Sequence, residues 1–231
     1  FLTEEQQNNI QEKTENKILK LVEKELPSNI KKTLFGLYES IAISAEGKEN
    51  LYQIWQKQKK IKNLFLNEDD FTSLAMRLAI FKHPKASGIL EGQQNRVSNK
   101  DRLARFKWLL PSVSQDTIVR DAFMASLLQK ENREKESWVQ TALANIHHPL
   151  RHNSSIKHLK LILDKLEEVQ LTGDIFFPKG WLSSSIGKYS SKEASKILTD
   201  VLEDNSDYNP ILVKKLLQTT DDLTRAQKIK K

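Results

Sequence analysis

Three histidines are the first residues of this chain whose type and spacing could do chemistry. His148 and His152 stand four apart, the interval that puts two imidazoles on one helical face where zinc could be gripped, and His147 adjoins them. Pro149 falls between the pair, where it would break such a helix, and no carboxylate follows at a useful distance. The simpler reading is that these histidines finish a helix and bond its free carbonyls. Glu167-Glu168 and Asp221-Asp222 supply paired acids, but neighbours on a helix project about 100° apart and do not converge on one substrate atom. No Gly-x-Ser-x-Gly elbow is present, and no glycine loop that could cradle a phosphate. His-Glu-x-x-His is also absent, and zero cysteines exclude disulfides and thiolate metal sites. The residue types point to no catalytic centre and no metal site within this chain.

Arginines offer a different chemistry. A planar guanidinium can hold a ligand carboxylate through two parallel hydrogen bonds. Of Arg102, Arg105, Arg120, Arg133 and Arg151, the candidates to contact a ligand carboxylate are Arg133, Arg151 and Arg120. Arg133 and Arg151 flank helix ends and are expected toward a rim. The alternative is structural: Arg120 and Arg133 would pair with nearby acids such as Asp121 and Glu134. Among the aromatics, Trp138 is expected in a core. Phe176-Phe177-Pro178 is expected as a non-helical loop plugging a gap between helices.

The elements that must carry these residues are helices throughout. Apolar residues recur at helical spacing in almost every segment, and no sustained period-2 strand appears. Thr3 and Gln6 have capping-box spacing and open a helix to about Leu26, where Pro27 stops it. Ile30, Leu34, Leu37 and Ile41 mark a second, and Leu51, Ile54 and Trp55 a third. Residues 57–66 read as a connection, and Asn67 caps the helix bearing Phe71, Leu74, Ala75, Leu78 and Phe81. Helices over 85–95 and 98–110 follow, the latter ending at Pro111. Ser114 can cap the helix with Ile118, Val119, Ala122, Phe123 and Leu127. The stripe Val139, Ala142, Leu143, Ile146 ends at Pro149, and the stripe from Leu159 to Val169 ends at Gly173. Ser190 and Glu193 form a second capping-box spacing, and Pro210 opens a last helix past Leu217. The fold class is all-α. Short linkers favour antiparallel neighbours, hence an irregular HEAT/armadillo-like helical-repeat array, a right-handed α-α superhelix. Residues 1–66 form N-terminal helices of or on this array, and residues 67–231 its main part.

Composition agrees with a water-facing globular chain: 29% charged and 38% hydrophobic in 231 residues. No apolar run approaches the ~20 residues of a membrane helix. The opening Phe1-Leu2-Thr3 has no basic-then-apolar leader, as expected of an excised fragment or processed product. Net charge is +7, but bases and acids interleave, as in Asn132-Arg133-Glu134-Lys135-Glu136. The densest basic run, Lys57-Gln58-Lys59-Lys60-Ile61-Lys62, reads as a solvated helix end rather than a nucleic-acid patch.

Longer patterns carry a resemblance. Residues 132–178 contain Asn-Arg-Glu-Lys-Glu-Ser-Trp-Val, then His-His-Pro-Leu-Arg-His, then Thr-Gly-Asp-Ile-Phe-Phe-Pro. Asn99-Lys100-Asp101-Arg102 with Arg105-Phe106, Arg120-Asp121-Ala122-Phe123, and Asp221-Asp222-Leu223-x-Arg225-Ala226 extend the set. Together these resemble the C-terminal helical domain of bacterial zinc aminopeptidases of the gluzincin family, with Lys100 where the family has proline. The match runs from about Asp69 to Ile229, roughly two-thirds of the chain. The resemblance implies a parent enzyme whose zinc, general-base Glu and peptide N-terminus site lie in an upstream catalytic domain. This chain would be non-catalytic, packed in cis across that site, and would limit entry to small peptides. No zinc ligand or catalytic acid of the family carries over, so neither cofactor nor activity is expected of the chain alone. Its partners would be the catalytic domain and peptide, the latter contacted by Arg133, Arg151 or Arg120, with no membrane. A helical-repeat scaffold for other proteins is the alternative, with nucleic-acid binding behind it.

Overall fold

Prolines and polar caps cut the chain into helices where the sequence places them, with instructive exceptions. A computed structural model describes residues 4–204 and 208–229, and no strand occurs among the described residues. In order the helices are α1 (Glu4–Glu23), α2 (Ser28–Ile41), α3 (Ala45–Trp55), α4 (Glu68–Ile80), α5 (Ala86–Arg96), α6 (Lys100–Val113), α7 (Thr117–Ser126) and α8 (Glu136–Ile146). There follow α9 (His152–Ser155), α10 (Leu159–Asp164), α11 (Leu166–Thr172), α12 (Phe177–Ser183), α13 (Lys192–Asp204), α14 (Pro210–Thr219) and α15 (Asp221–Ile229). The all-α expectation holds. Thr3, the expected cap of α1, lies outside the described residues.

The chain divides into two compact units, Leu2–Trp108 and Leu109–Lys231, with the division inside α6. The boundary expected between residues 66 and 67 falls within the first unit. There α1 packs on α2, α3 on α4 and α4 on α5, around Phe35, Leu51, Trp55, Leu74, Leu78 and Ile89. Asn67 and Asp70 close a reciprocal capping box at the start of α4. Ser44 caps α3 locally, its hydroxyl accepting from Gly47 N at 2.9 Å, and Glu15 braces that cap from α1. Glu15 on α1 is buried, and its carboxylate accepts hydrogen bonds from Ile43 N (2.9 Å), Ser44 N (3.0 Å) and Ser44 Oγ. A negative group beside a helix N-terminus suits the dipole.

In the second unit α8 and α11 pack on α12, α12 on α14, and α13 on both α10 and α15. Val139, Leu143, Ile146, Ile162, Leu163 and Trp181 form its fully buried centre, with Trp181 Nε1 donating to the Ile162 carbonyl at 3.0 Å. Fully burying a side chain of this kind stabilises the fold by about 1.5–3 kcal/mol.

Several boundaries depart from the sequence expectation. Pro111 lies inside α6, which runs on to Val113. Asp116, not Ser114, caps α7, its side chain accepting from Ile118 N. Ser191 rather than Ser190 caps α13 through Ala194 N at 3.2 Å. The 159–169 stripe is two helices meeting at Lys165, and the last helix is two, α14 and α15. Phe177-Pro178 begin α12, because proline is preorganised for a first helical turn, and Phe177 is buried while Phe176 is exposed. Trp138 is only half-buried, with the Lys135 ammonium 4.0 Å from its ring centroid.

Gly173 ends α11 with φ −107° and ψ 175°, so it is not there for a left-handed turn. A Cβ would lie 2.6 Å from Phe177 Cδ1 and 2.9 Å from the Val169 carbonyl oxygen. The nearest atoms to a Cβ on Gly180, within α12, would be those of the Gln140 amide, the far end of a flexible side chain. Gly173→Ala should therefore destabilise by about 1–3 kcal/mol through overpacking. Gly180→Ala should stay within about 1 kcal/mol, since alanine's helix propensity offsets moving one side chain. Urea unfolding of both variants checks the contrast; equal losses would contradict it.

Candidate functional site

The three arginines singled out by sequence are all buried: Arg120 is 6% exposed, Arg133 4% and Arg151 4%. Each guanidinium serves helix ends. Arg151 donates from Nη1 to the Ser112 carbonyl (2.8 Å) and from Nη2 to that of Val113 (2.9 Å), closing the C-terminus of α6. Its Nη2 also reaches the Ser114 carbonyl at 3.3 Å, and that oxygen accepts from Arg120 Nη1 at 2.7 Å. Arg120 continues to the Gln115 carbonyl (3.1 Å) and to the hydroxyls of Thr117 and Ser154. Two cations therefore share one helix end, where the exposed carbonyls and the negative pole of the dipole favour them. Burial, and then the neighbouring Arg120 charge, pull Arg151 down to about 10, still protonated at neutral pH.

Arg133 repeats the device at the end of α7. Its Nη1 donates to the Leu127 (3.1 Å) and Leu128 (2.9 Å) carbonyls, and Nη2 to Glu168 Oε1 at 2.6 Å. The guanidinium also lies 5.8 Å from the Trp181 ring centroid. Bonds from Lys165 and Arg133 hold the Glu168 carboxyl below the usual range. The acids expected to pair with these arginines go elsewhere. Asp121 takes His158 Nε2 at 2.8 Å and Lys157, and Arg133 takes Glu168 rather than Glu134. None of the three arginines presents an open fork; a peptide carboxylate would have to displace helix carbonyls to reach one.

The histidines form a second polar cluster. His147 is fully buried, with Nδ1 2.8 Å from the Tyr189 hydroxyl and Nε2 without a hydrogen-bond partner. His152 stacks on Tyr189, centroids 3.8 Å apart and planes 14° apart, and its Nε2 donates to the His147 carbonyl at 3.1 Å. The expected role of bonding a helix's free carbonyls thus falls to His152. The His158 ring stands edge-on to His147 at 6.4 Å. Burial first, then the charges His158 and His152 would carry, drive His147 down to about 3. Burial drives His152 down to about 4, opposed by its bond to the His147 carbonyl. Burial pushes the Tyr189 phenol up, so it stays protonated. With no solvent access, His147 has no route to act as a base on an incoming substrate. No group of three His, Cys, Asp or Glu among the described residues is arranged to hold a metal ion.

An open cavity of about 510 Å³ in the first unit was not legible from spacing; Lys57, Leu66, Glu68, Phe71, Gln93 and Arg96 line it. Lys57 has a left-handed backbone (φ 64°), and its ammonium lies 5.1 Å from the Phe71 ring centroid. Arg96 lies over Trp55 at 4.1 Å and donates Nη1 to the Trp55 carbonyl at 3.0 Å. Neither cation is paired with a carboxylate among the described residues. Gln93, buried, accepts from Trp55 Nε1 at 2.9 Å and donates to Thr72 Oγ1 at 3.2 Å. Glu68 accepts from Ser98 N (2.9 Å) and Ser98 Oγ (2.8 Å), bonds that hold its carboxyl below the usual range. The sequence reads the basic run beginning at Lys57 as a solvated helix end, whereas Lys57 lines this cavity.

Compared with known proteins, the chain matches no family model, no curated relative and no solved structure.

Proposed function

We propose that this chain is a non-catalytic, access-controlling helical region of a zinc aminopeptidase, working beside a catalytic domain that carries the metal. The ordered set of motifs between residues 99 and 226 carries this reading. What supports it further is the role those motif residues take. Arg133 of the Asn-Arg-Glu-Lys-Glu run pairs with Glu168, and Glu136 of the same run accepts from Asp174 N of Thr-Gly-Asp at 2.7 Å. Arg151 of His-His-Pro-Leu-Arg-His closes α6. The motifs are thus fasteners between helices, the chemistry a rigid wall needs and not the chemistry of bond cleavage. Restricting entry to a reaction chamber also excludes bulk water around the scissile bond.

A protein-binding scaffold is the second reading, favoured by the exposed Leu171, Ile175 and Phe176. Lys215 donates to Gln170 Oε1 and to the Ile175 carbonyl, so α14, with exposed Ile211, lies beside them. Large apolar side chains grouped in the open mark surfaces that are covered by another protein. In the first reading the catalytic domain covers them in cis.

The gene decides between the two. An encoded His-Glu-x-x-His upstream of Phe1, with aminoacyl-amide hydrolysis by the full-length product and none by residues 1–231 with added zinc, is the expected result. Chelator-sensitive turnover by residues 1–231 alone, or an upstream region without that motif, would overturn the reading.

A further inference from the structure

We propose that the cavity beside Lys57 and Arg96 binds a small monocarboxylate carrying an apolar side group. It lies in the unit 2–108, and its test does not depend on the peptidase reading. The charge of its walls sets the ligand's charge. Lys57 and Arg96 supply two cations that no carboxylate among the described residues pairs, and the Glu68 carboxylate of the lining is itself met by Arg102 at 3.5 Å. The walls are therefore net positive and suit an anion, and the Glu68 carboxylate disfavours a doubly charged one such as a phosphate dianion.

Position selects further. Arg96 is held in place by its stack on Trp55 and by the bond from Nη1 to the Trp55 carbonyl. Its Nη2 and Nε remain available as the fork a carboxylate fits. The Lys57 ammonium, held over Phe71, supplies a second point of positive charge. Gln93 is 1% exposed and fixed at both ends of its amide by Trp55 and Thr72, a buried polar wall that does not rearrange. Phe71 and Leu66 complete the lining with apolar surface for a hydrocarbon or aromatic group. A concave site of several hundred Å³ with a few converging polar groups is the usual form of a small-molecule site. Lys57 and Asn63 border this connection with left-handed backbones, φ 64° and 60°. Lysine is not a residue that favours that region, and such conformations recur where a loop is shaped for binding.

The whole chain is titrated with N-acetyl-L-phenylalanine and, separately, with its neutral amide. Binding is read by amide NMR at the Trp55 indole N–H and the Gln93 side-chain amide. The acid should give saturable shifts at both groups, with the amide at least tenfold weaker. Lys57→Met should weaken the acid at least fivefold while leaving the helical spectrum, the melting temperature and the amide's weak binding unchanged. Lys57→Arg should restore most of the affinity. Equal binding of acid and amide, wild-type affinity in Lys57→Met, or no saturable shift would overturn the proposal. So would inorganic phosphate displacing the acid at the same concentration, since the site would then read charge without the apolar group.

Discussion

Arg151→Met should lower the stability of the unit 109–231 by about 3–5 kcal/mol, among the largest effects a single substitution produces. The reason lies in what is left behind. The Ser112 and Val113 carbonyls accept from Arg151 at 2.8 and 2.9 Å, and both bonds are buried. Methionine fills the space but offers no donor, so these oxygens lose water and partner together, at about 1–3 kcal/mol each. Lysine should recover less than half of the loss, because one ammonium does not reproduce a planar fork reaching adjacent carbonyls. In a chain of this size the melting point should fall by about 10 °C. Arg102 provides the control. It is 48% exposed and bridges Glu68 (3.5 Å) and Asp69 (3.2 Å), so Arg102→Met should cost under about 1 kcal/mol. A melting point unchanged by Arg151→Met would show that the guanidinium is free to serve a peptide, as its sequence position had suggested.

Periodicity made the helices legible where one face stays apolar without interruption. Phe71, Leu74, Ala75 and Leu78 define α4, and Asn67 with Asp70 marks its start within four residues of sequence. It failed where a break preserves the stripe. Leu159, Ile162, Leu163 and Leu166 remain on the buried side although the helix restarts at Lys165, because both halves face the same core. It failed again at Pro111. Proline removes a donor from the helix, but the carbonyls that then end α6 find Arg151, 39 residues along the chain. No local pattern announces a cap from that distance.

The same limit governs the sites. The positions of Arg133 and Arg151 near helix ends are visible in the sequence, and helix ends are where they and Arg120 act. Their partners are not, since a guanidinium serves a backbone carbonyl as well as a carboxylate and sequence displays only the carboxylates. Glu15 shares a buried face with Leu19 and Val22, an acid in an apolar stripe, and that signal could have flagged the brace behind the Ser44 cap of α3. The cavity joins two i,i+3 pairs, Glu68 with Phe71 on α4 and Gln93 with Arg96 on α5, to Lys57, and no local pattern shows that the two pairs face one another.

Acid should dismantle the unit 109–231 through its histidines. In an unfolded chain His147 takes up a proton near pH 6.5, whereas in the folded chain burial holds this back until about pH 3. Between those values the unfolded state binds the extra proton. Stability contributed by neutral His147 is therefore complete above about pH 6.5 and is lost progressively as pH falls toward 3. One proton taken up only on unfolding gives a slope of about 1.4 kcal/mol per pH unit. His152 adds in the same direction between 6.5 and about 4. The groups facing His147 offer no relief. Protonated His152 and His158 would repel a charge there, and Tyr189, itself near Glu193, stays a neutral phenol. Asp121, whose burial is outweighed by bonds from Lys157 and His158, sits below its ordinary 3.8 and adds a further loss only at lower pH. In the other unit Glu39 behaves oppositely. Burial raises it, so its contribution is present at low pH and lost as pH rises. The unit 109–231 should thus open first on acidification. The opening constant at the Trp181 indole, buried against the Ile162 carbonyl and read as hydrogen exchange divided by the intrinsic rate at each pH, should rise between pH 6 and 4 before that of Trp55. His147→Gln should flatten the slope by about 1.4 kcal/mol per pH unit, one proton's worth, while the amide keeps a hydrogen bond to Tyr189. An unchanged slope in that variant would place the acid sensitivity in groups other than His147.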